Sequence, residues 1–450
     1  MTQPKVLPTM LDPIASTDNC YVTERLGPRL LVTYPTGRFV YVANWDLNTV
    51  SAYRVESATG ALIPASRSPC FTGKHPRALT IDPDGRFLYA ANWDSRTISG
   101  FTIDASTGAL AEMIDSPFAA GSRPKNVRIH PSGKFAYVSN RDSHDISAYR
   151  IAPDSGALIP ITSSGIATGS WPRTTIVGPT GKFAYAAHQK GNTISAYVIE
   201  PTSGALEPVV GSPFTVGNDP RSVTADPTDR FVYVANRGSH DVSAFKIDPT
   251  TGTLTAVPGS PFPTGRRPFA MLVHPTGRFG YVVNLGSNSI SAFVIDQGSG
   301  ALNPTPGSPF ATGTLPLWPT LDPSGKFLYA SNEKSNDITA YKIDLQSGAL
   351  TPVPGSPFAA NFSSLPGIRP REVTVDPTQE FLYLVNRKSD TISAYRITME
   401  TGALTPVHGS PFPPYWRKSV KYWCILLLTA GRAYRPAQFW LRAKRGVKSA

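Results

Sequence analysis

The sequence predicts an all-β fold, a β-propeller of four-stranded antiparallel blades. Three observations predict it: a repeat of about 48 residues, four strand-like runs within each repeat, and no segment left over for a helix. A fixed period of this length indicates one structural unit stacked on itself. A small sheet buries its two faces only by packing against copies of itself, and a radial arrangement leaves only short, protected edges.

The clearest part of the repeat is a P-x-G-[RK] turn followed by a strand that begins with Phe. This Phe recurs at intervals of 48 residues six times and of 54 residues at the last step. Complete repeats extend over residues 28–412, so we predict eight blades, with seven blades and one spare or split module as the alternative. The anchoring residues are Phe39, Phe87, Phe135, Phe183, Phe231, Phe279, Phe327 and Phe381.

Each repeat contains four runs rich in β-branched and aromatic residues. In the second repeat they read RALTIDP, RFLYAAN, TISGFTID and ALAEMIDSPF, and each is closed by turn residues. Four strands of about six residues with connections of about the same length account for the whole period. Glycines such as Gly108, Gly156 and Gly204 mark the bend after the third strand.

The composition indicates a soluble globular chain, with 40% hydrophobic and 16% charged residues. The first ten residues show no charged-then-apolar leader, so we expect a cytoplasmic protein. Cys20, Cys70 and Cys424 occupy no repeated position and have no metal-like spacing, which argues against a disulfide framework and a zinc site. We expect no cofactor and no metal.

The net charge of +12 is concentrated at one end of the chain. Residues 413–450 carry nine Lys and Arg and no Asp or Glu, so 12 − 9 leaves +3 for the rest. We therefore predict an N-terminal extension (1–27), a nearly neutral propeller (28–412) and a basic tail (413–450) without regular order. A membrane-surface or polyanion-binding tail is the alternative. The apolar run 422–430 is shorter than the about 20 residues that span a bilayer. We expect a monomer with neither a transmembrane segment nor a nucleic-acid partner.

The repeated residues carry a family resemblance. YVAN or YVSN after P-x-G-[RK]-F, followed by [IV]-S-A-[YF] and T-G-A-L, resembles the YVTN-type propellers of the lactonase family, which includes bacterial 6-phosphogluconolactonase. The resemblance implies a lactone hydrolase acting on an acidic sugar lactone such as 6-phosphogluconolactone, or a relative such as a muconate cycloisomerase. That family is best known with seven blades. The alternative function is a non-catalytic scaffold or binding module that meets a protein partner through its channel face.

The connections that enter the inner strand and those between the second and third strands open on one predicted face, around the channel mouth. Five cations occupy the same position there, directly after the Pro that opens the inner strand: Arg77, Lys125, Arg173, Arg221 and Arg371. Guanidinium groups at the end of a narrow channel bind carboxylate or phosphate strongly. We predict that these residues bind an anionic substrate. The structural alternative is pairing with loop aspartates such as Asp94, Asp142 or Asp241.

Catalytic groups must break the symmetry of the repeats, because hydrolysis of a lactone needs a base and an oxyanion donor at one point. His188 replaces the Asn of the other seven repeats, Glu333 follows that Asn in the seventh, and Glu372 adjoins Arg371 on the eighth inner strand. These three are the catalytic candidates, with a structural role as the alternative for His188.

Aromatic residues also fall near the predicted channel mouth. They would either stack against a sugar ring or pack between blades. These residues are Trp45, Trp93, Trp171 and Trp318.

Overall fold

A computed structural model describes residues 27–162, 165–360 and 368–414. These residues form strands and turns without a helix, and the strands make eight antiparallel sheets. The all-β propeller is therefore confirmed, and the described residues form eight blades. The predicted extension 1–27 except for Gly27, the predicted basic tail beyond residue 414, Cys20 and Cys424 lie outside the described residues.

Each sheet is built from consecutive strands of one repeat. The inner strand lines the channel, and each inner strand packs against the next around the ring. The inner strands of blades 1 to 8 are Pro28–Thr33, Pro76–Ile81, Pro124–Ile129, Pro172–Val177, Pro220–Ala225, Pro268–Val273, Pro316–Leu321 and Pro370–Val375.

The second and third strands form the fully buried centre of each blade. The second strands are Phe39–Asn44, Phe87–Asn92, Phe135–Asn140, Phe183–His188, Phe231–Asn236, Phe279–Asn284, Phe327–Asn332 and Phe381–Asn386. The third strands are Thr49–Val55, Thr97–Ile103, Asp145–Ile151, Thr193–Ile199, Asp241–Ile247, Ser289–Ile295, Asp337–Ile343 and Thr391–Ile397.

The outer edge differs from the predicted single fourth strand. It is split into two short strands that both pair with the third strand. The three-residue strands are Leu62–Pro64, Leu110–Glu112, Leu158–Pro160, Leu206–Pro208, Leu254–Ala256, Leu302–Pro304, Leu350–Pro352 and Leu404–Pro406. The two-residue strands are Cys70–Phe71, Phe118–Ala119, Ile166–Ala167, Phe214–Thr215, Phe262–Pro263, Phe310–Ala311 and Phe358–Ala359, and blade 8 has only an Ile392–Phe412 bridge there.

A Ser-Pro pair lies at this split in seven of the eight repeats, all except that of blade 3. Proline has no N–H to donate to a ladder, so the strand cannot continue through it. The preceding serine replaces the missing contact: in blade 1 the Ala52 N–H donates to the Ser68 hydroxyl (2.9 Å), and in blade 7 the Ala340 N–H donates to Ser356 in the same way.

Neighbouring blades are joined by the residues that define the repeat. The Phe39 ring packs under Gly108 of the next blade, where an added Cβ would lie 2.3 Å from the ring. The Tyr41 hydroxyl donates to the Gly108 carbonyl (3.1 Å). Gly108 has a φ of 72°, which favours glycine on its own account. The repeated Phe, Tyr and Gly therefore specify blade-to-blade packing.

The Asn that ends most second strands closes the top of each blade from within. The buried Asn44 amide donates to the hydroxyls of Thr49 (3.0 Å) and Ser51 (2.9 Å) on the third strand. Asn386 makes the same pair of hydrogen bonds, and Asn236 makes an equivalent pair in which the Asp241 carboxylate replaces one hydroxyl. This residue is structural.

Candidate active site

The second residue of each inner strand lies at a β-bulge, outside the ladder with the second strand. A bulge re-aims a side chain, and here it directs this position toward the channel mouth. Six consecutive blades, 8 and 1 to 5, place a cation there. We call these six residues the cation arc: Arg29, Arg77, Lys125, Arg173, Arg221 and Arg371.

The cation arc includes all five predicted anion-binding residues and adds Arg29. Repeat 1 enters its inner strand through R-L-G-P-R and lacks the T-G-x-x-P spacing of the later repeats. Alignment on the Pro that opens the strand, without that spacing, would have found Arg29.

The charges of the cation arc repel one another across the channel. Burial, with the charges of Arg77, Arg371 and Arg387, lowers the pKa of Arg29 to about 7. Burial and neighbouring arginines also lower the pKa of Arg77 to about 9, and the pKa of Lys125 and of Arg173 falls well below its usual value. Arginine keeps its proton in proteins, so these lowered pKa values, caused first by burial, indicate crowded positive charge that the carboxylates of Asp46 and Asp219 offset only in part.

Within the described ranges, no member of the cation arc forms an ion pair. The Nε atom of Arg221 is buried without a hydrogen-bond partner. The predicted pairing with loop aspartates does occur, but at other residues: Arg123 contacts Asp142 (3.2 Å), and Arg237 contacts Asp219 (3.0 Å). The structural alternative therefore does not account for the arc.

Blades 6 and 7 interrupt the arc with apolar side chains. Phe269 and Leu317 occupy the equivalent positions and pack together with Ala270 and part of Leu285. The Trp318 ring lies edge-on to Phe269, with 5.2 Å between ring centroids, and keeps 37% of its surface exposed. The channel mouth is therefore cationic over six blades and apolar over two.

The inner strands of blades 7 and 8 differ from the others in their backbone. Register with the second strand is lost over two residues, between Pro316 and Pro319 and between Pro370 and Val373, instead of over one. The additional residues freed from the ladder are Trp318 and Glu372. Blades 7 and 8 thus bring an exposed aromatic ring and a carboxyl group to the channel, where the other blades have regular backbone.

Glu372 is the acid with the largest pKa shift at this mouth. Burial raises its pKa to about 8, although the charges of Arg371 and Arg128 and the backbone N–H of Leu31 favour the ionised form. Such a pKa lies close to neutrality, where a side chain exchanges protons with a substrate effectively.

Arg128 is the second functional candidate that the sequence reasoning missed. It is the fifth residue of the blade 3 inner strand, where its side chain is accessible to water in the channel but surrounded by protein. Burial lowers the pKa of Arg128, and the charge of Glu372 opposes that shift. The sequence does distinguish Arg128, because the other seven repeats have Val, Thr, Ile or Leu at this position. Arg128 and Glu372 interact although they belong to blades 3 and 8.

Glu333 lies in the connection that follows the second strand of blade 7. Its N–H donates to the Leu315 carbonyl (2.9 Å), and its charge acts on Arg371. The charges of two of the predicted catalytic residues, Glu333 and Glu372, therefore both act on Arg371.

His188 does not join this group. Its side chain is fully buried at the end of the blade 4 second strand, with Nδ1 2.9 Å from the Thr193 hydroxyl and Nε2 without a hydrogen-bond partner. Burial lowers the pKa of His188 to about 4, so the ring is neutral at physiological pH. The imidazole occupies the place of the Asn that closes the other blades, which favours the structural role.

The tryptophans of blades 1 to 4 organise the cations. Trp45 lies between the guanidinium of Arg29 (4.1 Å to the ring centroid) and the stacked imidazole of His75 (4.7 Å). Arg77 lies over Trp93 at 4.5 Å. Because Arg29 and His75 already contact the Trp45 ring, the predicted stacking against a sugar ring does not fit that residue, whereas Trp318 retains exposed surface.

Trp171 has the same arrangement at the next blades. Arg141 approaches its ring centroid to 3.9 Å and Lys190 to 3.7 Å. Cation–π contacts of this kind hold a guanidinium in place without removing its charge.

Outside the channel, the structure offers less chemistry. A shallow cavity of about 420 Å³ on the opposite face, beside Lys326, Leu345 and Met399, contains no convergent acid–base pair. The part of the chain that the structure describes contains no group of three or more His, Cys, Asp or Glu suited to a metal ion. Among the same residues, no helix is long and apolar enough to cross a membrane.

Sequence comparison identifies one family. The family described as "Lactonase, 7-bladed beta-propeller" matches residues 30–119, 111–215, 211–268, 256–364 and 356–413. These segments together cover nearly the whole propeller. No curated protein is significantly similar to the chain.

Solved structures share the fold at low identity. A Bacteroides fragilis protein provisionally named a 6-phosphogluconolactonase is 20% identical, over 90% of this chain and 98% of that one, with a TM-score of 0.55. The periplasmic gluconolactonase PpgL of Pseudomonas aeruginosa is also 20% identical, over 75% and 95%, with a TM-score of 0.55. Chaetomium thermophilum Sqt1, bound to the N-terminus of ribosomal protein L10, is 14% identical over 80% and 94%, with a TM-score of 0.61.

Proposed function

The chain belongs to the lactonase family of β-propellers, and on that premise we propose that it hydrolyses an anionic sugar lactone such as 6-phosphogluconolactone. One observation carries the proposal: the half-buried Glu372, whose pKa burial raises to about 8, lies among the cations of the channel mouth, where the charges of Arg371 and Arg128 act on it. A base near neutrality and cations for an acidic substituent are what this reaction requires.

In the proposed reaction the cation arc binds the phosphate or carboxylate of the substrate. Arg371 lies at the end of the arc next to Glu372, so an anion held there places the lactone ring within reach of that carboxyl group. The apolar wall at Phe269 and Trp318 faces the less charged side of the ring.

The ionised Glu372 carboxylate accepts a proton from a water molecule as the water oxygen attacks the lactone carbonyl carbon. The carbonyl oxygen becomes an oxyanion, which the guanidinium groups of Arg128 and Arg371 stabilise. The ring C–O bond then breaks, and the leaving oxygen takes the proton from Glu372. The product is the open hydroxy acid, and Glu372 returns to its ionised state.

The test is hydrolysis of 6-phosphogluconolactone by the purified chain, corrected for the reaction in buffer. We expect turnover by the wild type and by Glu380→Gln, a control that removes an exposed carboxylate on the opposite face. Glu372→Gln should lose about 100- to 10,000-fold in kcat/KM, the usual contribution of a general base. A wild type no faster than buffer contradicts the proposal.

A binding role without catalysis is the second candidate, and the equivalence of the six arc positions favours it. Identical groups around an axis suit a repeated contact to a ligand better than a single reacting point. The two candidates differ in one result. If the wild-type protein binds anions but hydrolyses no anionic lactone, the channel is a binding site without catalysis.

A further inference from the structure

We propose that the cation arc is a binding site for a polyphosphate chain, an anion with more phosphate groups than the single one of a sugar phosphate. This proposal goes beyond lactone hydrolysis and does not depend on it. Its basis is the amount of charge, the shape of the arc and the way in which the cations are held.

The amount of charge exceeds what one phosphate neutralises. The arc has six cations without an ion pair among the described residues, whereas Arg141 and Arg237, just outside it, already contact Asp142 and Asp219. A phosphate monoester carries about −1.5 to −2 at neutral pH. The carboxyl groups whose charges act on the arc are those of Asp46, Asp219, Glu333 and Glu372, and Asp219 is already paired with Arg237. Arg387, which has no ion pair among the described residues, adds a cation, so at most three free carboxylates stand against seven cations. One phosphate therefore leaves cations uncompensated, and a chain of phosphates does not.

The shape of the site favours an elongated anion. The cations stand on consecutive blades, from Arg371 in blade 8 through Arg29 to Arg221 in blade 5, and the apolar pair Phe269 and Leu317 closes the remaining side. A linear chain of phosphates can follow such an arc and contact more than one of its cations. Guanidinium groups suit this ligand because each binds two phosphate oxygens at once.

The cations are held in position before any ligand binds. Arg29 and Arg77 lie over Trp45 and Trp93 at 4.1 and 4.5 Å from the ring centroids, and Arg77 also approaches Trp45 (5.9 Å). Side chains ordered in advance lose less entropy on binding. Because Arg29 and His75 already contact the Trp45 ring, stacking of a nucleobase does not fit that residue. Along the arc, recognition therefore falls on the phosphate chain, because the exposed Trp318 ring lies on the apolar side of the mouth.

The experiment measures binding to the whole chain by calorimetry and by thermal unfolding, at constant ionic strength. The probes are inorganic phosphate, pyrophosphate, tripolyphosphate and ATP. We expect affinity to rise about tenfold or more with each added phosphate, since each brings further charge-assisted hydrogen bonds. ATP should bind no more tightly than tripolyphosphate. Equal affinity for phosphate and tripolyphosphate would overturn the proposal. Much tighter binding of ATP than of tripolyphosphate would also overturn it, because the site would then recognise nucleotides.

Two variants locate the site. Arg77→Gln should weaken tripolyphosphate binding at least tenfold and, without anion, raise the melting temperature, because it removes one of several mutually repelling charges. Arg150→Gln, which removes an exposed arginine from the third strand of blade 3, is the matched control and should change neither quantity. Equal weakening by both variants contradicts binding in the channel. The two proposals can fail separately. A protein that binds tripolyphosphate but hydrolyses no lactone contradicts only the proposed function, and one that hydrolyses the lactone but does not bind tripolyphosphate contradicts only this proposal.

Discussion

The Tyr383 hydroxyl of blade 8 donates a hydrogen bond to the Gly60 carbonyl of blade 1 at 3.4 Å. Tyr41 makes the same contact with Gly108, between blades 1 and 2. The ring thus closes through the contact that joins its internal blades, and blade 1 borrows no strand from the other end of the chain. The Gly27 N–H adds a hydrogen bond to the Asp390 carboxylate (2.8 Å) across the same junction.

Replacement of Gly60 tests this closure. Gly60 has a φ of 79°, and an added Cβ would lie 2.3 Å from the Phe381 ring. We expect Gly60→Ala to cost about 1–2 kcal/mol for the backbone and about 1–3 kcal/mol for overpacking, measured by denaturant unfolding. Gly298→Ala, in the corresponding turn of blade 6 but with its nearest atom at 3.5 Å, should be nearly neutral. Equal, small effects of the two variants would contradict closure between blades 8 and 1.

His188 offers a test of structure against catalysis. His188→Asn restores the residue that closes the other blades, and its amide should donate to Thr193 and Ser195 as Asn236 does to Asp241 and Ser243. We expect lactonase activity to be retained and stability to rise by about 1 kcal/mol, because the amide adds a hydrogen bond to Ser195 to the single one that the imidazole makes with Thr193. A loss of activity above tenfold in a folded variant would return His188 to the catalytic group.

The pKa of Glu372 predicts how stability changes with pH. Its pKa is about 8 in the folded protein and 4.5 when unperturbed. Between these values the folded chain holds a proton that the unfolded chain has released, so this residue makes stability fall as pH rises from about 4.5 to 8 and adds no further change above 8. Urea unfolding of wild type and Glu372→Gln across this window checks the sign: the variant should show a smaller decline. An unchanged slope would mean that Glu372 titrates normally.

The same pKa governs the rate. If the ionised Glu372 is the base, kcat/KM should rise about tenfold per pH unit below its pKa and level off above about 8. The measurement is the pH profile of the enzymatic rate after subtraction of the buffer reaction. A plateau that begins near pH 5 would assign the base to a carboxylate other than Glu372.

Much of the fold could be read from the sequence because each blade is specified locally. Phe39, Tyr41 and Gly108 recur at a constant spacing, and their contacts repeat between blades, so counting the motif gives the number of blades. The divided outer edge was not foreseen, because the run that contains Ser116 and Pro117 reads as one β-rich segment. Only the structure shows the serine hydroxyl taking over the ladder contact from the third strand.

The candidate site was predictable only in part. Five members of the cation arc share one position after a proline, which a repeat alignment detects. The interaction between Arg128 and Glu372 joins blades 3 and 8, and no local pattern relates residues so far apart in sequence. His188 is a catalytic candidate in the sequence because it differs from the repeated Asn. That position is buried at the end of a blade, so a different residue there changes packing and not the chemistry of the channel.

The most direct test compares 6-phosphogluconolactone with uncharged gluconolactone as substrates of the purified chain. If the uncompensated cations at the channel mouth hold the substrate for Glu372, kcat/KM should favour the phosphorylated lactone by about 100-fold or more, and Arg371→Gln should remove most of that preference. Hydrolysis of both lactones at the same rate, or of neither above the buffer reaction, would contradict this function for the channel.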